Sequence, residues 1–398
     1  DITQKSGNTQ QLKGEGGIGV ISSKLTLEGP LQKDKSSFLV SGRGTYAHLF
    51  LKLTDNANSA YFYDLNTKFN FELDSKNSLR FSGYYGLDYV NINDSFTNIY
   101  GNAFGVLNWK HEFNADVFSN LDLSYSQYTY ELDLALVSFN FQNSISNFAI
   151  DYSINHTLSP DLSLIYGLNS IRYAVNPGKI VPTTADSGIN PRNLNNKYAL
   201  DNAAYVSVNH SLSDNINLQY GLRVSTFLRM EDEEIDSYEN DTPLLYDESR
   251  SIYVEASPIS TRQGNTSKVS ESYINFEPRA GLSYVLNDYT SIKASYNRMV
   301  QNLHLLSNTS SPTPFDVWTP SGKYVKPQKL DQYAFGFFKD FEDLPISLET
   351  EVFYKTIRNR IDYIDGANLI ANDAIERVIL NGEGRAYRSE EHTSELQS

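Results

Sequence analysis

The sequence predicts an all-β fold: an antiparallel up-and-down β-barrel that crosses a membrane on its strands. Three observations predict it. Apolar and polar residues alternate at every second position in segment after segment, which sends them to opposite faces of an extended chain. Roughly fifteen such segments follow one another, most about 10–15 residues long, which suits tilted membrane strands and exceeds the usual soluble strand. The connections also sort by parity, short then long. Up-and-down membrane barrels do this, and a Greek-key sandwich has no reason to.

The segment Asn215–Arg229 shows the alternation most clearly. Ile216, Leu218, Tyr220, Leu222 and Val224 share one face; Asn217, Gln219, Gly221, Arg223 and Ser225 share the other. In a soluble sandwich the apolar face would turn inward. In a membrane barrel it meets lipid, and the polar face lines a wet interior.

The elements are expected in this order. Residues 1–15 are polar and irregular. A first strand, Ile18–Glu28, is loosened at its start by Gly16, Gly17 and Gly19 and turns through Gln32–Ser36 into Phe38–Ala47. An irregular stretch with Asp55, Asn56 and Asn58 precedes Tyr61–Leu73, where Lys68 and Glu72 fall on the polar face. The turn Asp74–Ser78 leads into Leu79–Tyr89, and an Asn/Asp-rich loop near 91–99 follows. Strands through Leu107, Trp109 and Phe113 and through Leu121, Leu123 and Tyr125 flank the turn Asn114–Asn120. A loop near 132–138 precedes Phe148–Ile154, and Ser159-Pro160-Asp161 turns into Leu162–Leu168. A long loop, 174–198, holds Asn176-Pro177-Gly178-Lys179; Ala204–Val208 then turns at Ser213-Asp214 into Asn215–Arg229. Beyond the loop 230–267, Ile274–Leu286 sets Asn275, Glu277 and Arg279 on the polar face, and Ile292–Tyr296 does the same with Lys293, next to Asn297. The loop 301–328 precedes Tyr333–Phe337, the turn Asp340–Pro345 and a strand through Leu348, Val352 and Tyr354. Asn359–Asp373 reads as loop and Val378–Tyr387 as the start of one more strand. Phe71, Phe113, Phe118, Tyr289 and Phe341, close to short turns, suit an interfacial girdle.

Composition narrows the function classes. The 398 residues are 40% hydrophobic and rich in Tyr (28) and Phe (21), a strand-favouring mixture. No run of about 18 apolar residues occurs, so a transmembrane helix is excluded. The net charge of -15 argues against nucleic acid as a partner, because phosphate binding needs a basic face. With no cysteine, thiolate catalysis, disulfides and Cys-based zinc sites drop out. His48, His111, His156, His210, His304 and His392 stand at no ligand spacing, and no catalytic motif organises the serines and acids. No cofactor, metal or enzyme activity is expected. The acidic run Glu231–Asp236, continued by Glu239, Asp241, Asp247 and Glu248, offers carboxylates to calcium but lacks the glycine and spacing of an EF-hand. A solvated loop is the favoured reading.

Gly14–Leu53, Arg172–Pro182, Phe276–Met299 and Ile379–Tyr387 together resemble the barrels of TonB-dependent outer-membrane receptors of Bacteroidetes-type bacteria. The resemblance covers residues 1–387. It implies outer-membrane lipid as surroundings and import of a scarce nutrient (siderophore, glycan, peptide or cobalamin-like solute). Energy would come from the TonB complex, which pulls on a plug domain. Such receptors carry the plug before a barrel of about 22 strands with a plugged lumen. This chain is therefore expected to be an incomplete barrel, about 15 of roughly 22 strands, with the plug domain absent. The resemblance also implies a role for Lys68, Asn217, Gln219, Arg223, Asn275, Glu277, Arg279 and Lys293: lumen-facing contacts to the plug or the solute. The long loops are the better candidates for ligand capture, and a surface lipoprotein over them is a further partner to consider. Arg388–Ser398 departs from both the alternation and the family pattern, and is read as an adapter-derived, non-native tail rather than a genuine polar tail. Two other readings stay open: a passive outer-membrane porin or structural barrel, and a soluble secreted β-sheet binding protein.

Overall fold

In a computed structural model, residues 4–52, 58–307, 316–341, 346–369 and 372–395 are described. The strands are β1 (Lys13–Ile18), β2 (Ser22–Gln32), β3 (Ser36–Thr45), β4 (Ser59–Glu72), β5 (Asn77–Ile92), β6 (Phe96–Glu112), β7 (Val117–Leu134) and β8 (Phe139–Ser159). They continue as β9 (Leu162–Pro182), β10 (Arg192–Asn193), β11 (Lys197–Ser213), β12 (Ile216–Met230), β13 (Glu234–Ser237), β14 (Leu244–Asp247), β15 (Ile252–Glu255) and β16 (Ser260–Gln263). The last are β17 (Val269–Asn287), β18 (Thr290–Gln301), β19 (Leu303–Leu306), β20 (Val317–Pro320), β21 (Gln328–Asp340), β22 (Ile346–Tyr363) and β23 (Ile379–Glu395). One short helix, α1 (Ala47–Lys52), follows β3.

Among the described residues seventeen strands form one antiparallel sheet. Setting aside the short β1 and β10 leaves fifteen of the seventeen, from 10 to 21 residues long. Each pairs with its neighbour in the chain, the strands inside long loops excepted. Among the described residues β1 pairs only with β2, and β23 only with β22, so the sheet does not close.

The distribution of burial inverts that of a soluble sheet. On β17, Ile274 and Phe276 are 64% and 58% exposed, whereas Asn275 and Glu277, which alternate with them, are 2% and 6% exposed. Tyr220 and Leu222 on β12 and Tyr333 and Phe335 on β21 are likewise exposed. An exposed apolar face backed by a buried polar one is what hydrocarbon solvent selects, and it sets aside the soluble reading. The apolar cores lie elsewhere, at the long-loop end. Tyr130, Leu132, Phe139, Phe141, Ile180 and Leu194 form one; Leu306, Val317, Val325, Leu369, Ile375, Val378 and Ile379 form the other.

Several boundaries differ from expectation. The first expected strand is two: β1 and β2, joined by a turn in which Gly19 donates its N–H to the Ser22 carbonyl at 3.0 Å. The loops expected near 91–99 and 132–138 are tight connections, because β5–β6 and β7–β8 keep pairing past the apolar belt. Asn93 and Asp94 take the left-handed conformation (φ 51° and 53°) that the first of these turns needs. Asn176 and Lys179 pair with Ser144 and Gln142 across a bulge, so β9 runs on to Pro182. A bulge is where a sheet tolerates a proline. β22 likewise continues to Tyr363 past Asn359 (φ 56°), at another register shift. β23 pairs to Glu395, past the point where the alternation of the sequence stops. The long loops hold structure of their own: hairpins β13–β16 and β14–β15 between β12 and β17, and β19–β20 between β18 and β21. Asp55, Asn56, Pro345 and residues 396–398 lie outside the described residues.

Candidate functional site

The polar residues of β12 and β17 meet because antiparallel partners point to the same side of a sheet. Arg223 sits opposite Glu277, Ser225 opposite Asn275, Gln219 opposite Gly281 and Asn217 opposite Ser283. Arg223 Nε lies 3.7 Å from Glu277 Oε1, and its Nη2 donates to Asn169 Oδ1 at 3.3 Å. Ser225 Oγ donates to Glu277 Oε1 at 3.2 Å. Asn169 Nδ2 donates to Asp151 Oδ2 at 3.1 Å, and the Tyr205 hydroxyl donates to Asp151 Oδ1 at 3.3 Å. One network thus crosses β8, β9, β11, β12 and β17.

Two hollows open on this wall. The larger, about 500 Å³, is lined by Asp151, Tyr205, Gln219, Arg223, Arg279 and Asn297. The smaller, about 390 Å³, adjoins it at Gln219 and is lined by Asn217, Lys293 and Glu351. Lys293 Nζ sits 4.6 Å from the centre of the Phe338 ring. Arg279 makes no ion pair among the described residues. Seven of the eight expected residues therefore share one wall. Lys68 does not join them: its Nζ donates to the Gln4 carbonyl at 2.6 Å, in an N-terminal segment laid over β2–β4. The same segment is held by the Lys5–Glu28 ion pair at 2.9 Å and by Gln4 on Asn66 at 3.3 Å. Asp151, Asn169 and Tyr205 were missing from the expected set. The alternation places Asp151 and Asn169 on the polar face, whereas the aromatic class of Tyr205 masks its place there.

The described parts of the next connection, 302–307 and 316–327, lie against the long-loop end of the same wall. Asn302 Nδ2 donates to Asp201 Oδ2 at 3.1 Å, and the Tyr273 hydroxyl donates to the Gly322 carbonyl at 2.8 Å. His304, 1% exposed, lies 2.8 Å from Ser321 Oγ, and burial pushes its imidazole down to about 4. Above it is a polar chamber of about 660 Å³ lined by Lys197, Glu231, Asp236, Arg262, Lys323 and Glu376, among others. Several of its carboxylates are engaged. Glu231 is paired with Arg262 at 2.8 Å, a hydrogen bond that holds it below the usual carboxylate range. Asp236 accepts from Thr261 at 2.6 Å; Asp241, outside the lining, pairs with the lining Lys323 and accepts from Tyr324 at 2.8 Å. Among the described residues no three His, Asp or Glu converge as metal ligands.

The family model described as TonB dependent receptor-like, beta-barrel matches residues 23–389. No curated protein sequence matches the chain. Among solved structures, the chain is similar to the alcaligin outer-membrane receptor FauA of Bordetella pertussis (13% identity, TM-score 0.62), covering 97% of this chain and 57% of that one. It is similar to the ferric-catecholate import receptor Fiu of E. coli K12 (13%, TM-score 0.63), with 98% and 63% covered. It is also similar to the pyoverdine outer-membrane receptor FpvA of Pseudomonas aeruginosa PAO1 (15%, TM-score 0.64), with 98% and 60% covered. The chain thus spans less than two thirds of the length of each.

Proposed function

Because the chain belongs to the TonB dependent receptor-like β-barrel family, whose members are β-barrels of the outer membrane, we propose that it is the larger part of the barrel of a nutrient-import receptor. The observation that carries this reading is the polar wall of β8–β18 with its two hollows, set behind an apolar outer face. The wall holds mixed charge, Arg223, Glu277, Arg279 and Lys293, and mixed charge suits hydrogen bonding to a plug domain better than a selective ion filter. The loop chamber around Arg262 and Lys323 receives the solute first, since recognition sits on loops carried by a rigid scaffold. The protein is a transporter and not an enzyme.

The shares of 57% to 63% support a longer receptor in which further strands, a plug and a TonB contact complete the machine. Segments such as Gly14–Leu53 support a Bacteroidetes-type origin, and the loss of alternation after Tyr387 supports a non-native tail at 388–398. A lipoprotein partner over the loops stays within this reading. Family membership favours it over a passive porin.

Deleting the gene in its host and supplying scarce nutrients one at a time tests the proposal. Uptake of one solute class is expected to fall to background, and to fall equally when the TonB complex is removed. Uptake that persists without TonB would assign a passive channel instead.

A further inference from the structure

The outer face carries a second feature, at the long-loop ends of β18, β21, β22 and β23. Pairing fixes which side chains share it. Leu218 on the apolar face of β12 leads through Leu282, Ala294 and Phe335 to Val352, strand by strand. One step nearer the long loops, Tyr220 leads through Ala280 to Tyr296, Tyr333, Tyr354 and Tyr387. Four consecutive strands thus place tyrosine in one row, the signature of a membrane–water boundary.

The next row on the same side is Arg298, Asp331, Thr356 and Arg385, and the one beyond is Val300, Lys329, Arg358 and Glu383. Successive rows stand about 7 Å apart along the strands. Four cations and two anions gather here in a chain whose net charge is -15. Asp331, 7% exposed, accepts from Arg298 Nε at 2.6 Å, Arg358 Nη2 at 3.1 Å and the Tyr296 hydroxyl at 2.8 Å. It pins two guanidinium groups side by side, with the Arg358 side chain 52% exposed. Lys329 and Arg385 make no ion pair among the described residues. In the same two rows β12 and β11 present Leu222 and Val206, then Val224 and Ala204, so the charge is local to one arc.

We propose that this patch seats the phosphate of a lipid headgroup in the outward-facing leaflet. A guanidinium matches phosphate oxygens with two parallel N–H donors, and two held in fixed positions bind it without further ordering. The tyrosine row below sets the depth, because it lies where acyl chains give way to headgroups. Asp331 holds the two arginines side by side when no phosphate is present.

The test uses the full-length protein in dodecyl maltoside micelles, titrated with lipid A and with lipid A stripped of its phosphates, and followed by native mass spectrometry. Lipid A is expected to bind the more tightly. R358Q is expected to weaken it about fivefold and R298Q/R358Q roughly thirtyfold, whereas R250Q on a distant loop tip leaves it unchanged. Inorganic phosphate at matched concentration is expected not to displace the lipid. Equal binding of the two lipids, wild-type affinity in R298Q/R358Q, or displacement by free phosphate would each overturn the proposal. R358Q alone covers the case in which the double variant fails to fold, since this side chain is half in solvent.

Discussion

Arg223 and Glu277 are the pair on which the inner wall turns. Glu277 is buried and takes its neighbours from two strands, Arg223 and Ser225 on β12 and Asn275 beside it on β17. Removing the arginine leaves a buried carboxylate with a serine hydroxyl as its remaining donor, whereas Glu277→Gln removes the charge and keeps the shape. Truncating one partner costs more than neutralising the other, by the desolvation of the charge left behind. Arg223→Ala is therefore expected to destabilise the folded protein by about 1–3 kcal/mol and Glu277→Gln by less than about 1 kcal/mol. Guanidinium unfolding in detergent measures both, and equal midpoints for the two variants would remove Glu277 from this role. The wall was legible at this scale because strand parity alone assigns side chains to faces. What parity cannot give is depth: nothing in the sequence distinguishes the buried Asn275 from the exposed Gln219 two strand positions below Gly221 on the neighbouring strand. Depth depends on segments that arrive from elsewhere in the chain, as Gly322 does where its carbonyl accepts from the Tyr273 hydroxyl at 2.8 Å.

The described segment 302–307 carries a dependence on pH. His304 sits neutral inside it, with an imidazole pushed by burial from its usual 6.5 to about 4. The unfolded segment binds a proton as pH falls through 6.5, while the packed segment refuses one until about pH 4. The packing is therefore at full strength above the unfolded value and weakens steadily between pH 6.5 and pH 4. Hydrogen exchange of Leu303–Leu306 is expected to accelerate over that window in the native protein and to lose most of its pH dependence in His304→Gln. An unchanged profile in the variant would assign the weakening to another group. The sheet strands could be read from the sequence because each carries its own two-residue period. β13–β16, β19 and β20 could not: at four residues each they are too short to show a period, and their positions depend on contacts across the mouth. The connections at 93–95 and 135–138 misled for the opposite reason. Asn- and Asp-rich segments favour turns without saying how long the turn is.

At the scale of the whole molecule, the open edges decide what the chain can do by itself. Each inner strand has its backbone N–H and C=O groups satisfied by two neighbours, but β1 and β23 each have one. Water can satisfy an exposed edge; hydrocarbon cannot, and each unmet group there costs several kcal/mol. A seventeen-stranded sheet with two such edges and a continuous apolar outer face has two ways to lower its free energy: close on further strands, or pair edge to edge with other copies. Residues 1–398 expressed alone are therefore expected to elute from a sizing column in detergent as large, polydisperse assemblies and to stay sensitive to protease after mixing with phospholipid vesicles. A longer chain that gave β1 and β23 their second partners should elute as one species and become protected. The apolar face is the same in both, so the contrast isolates the edges from simple greasiness. A monodisperse, protease-resistant 398-residue chain in vesicles would mean that β1 and β23 find each other, and the sheet would then be a complete small barrel.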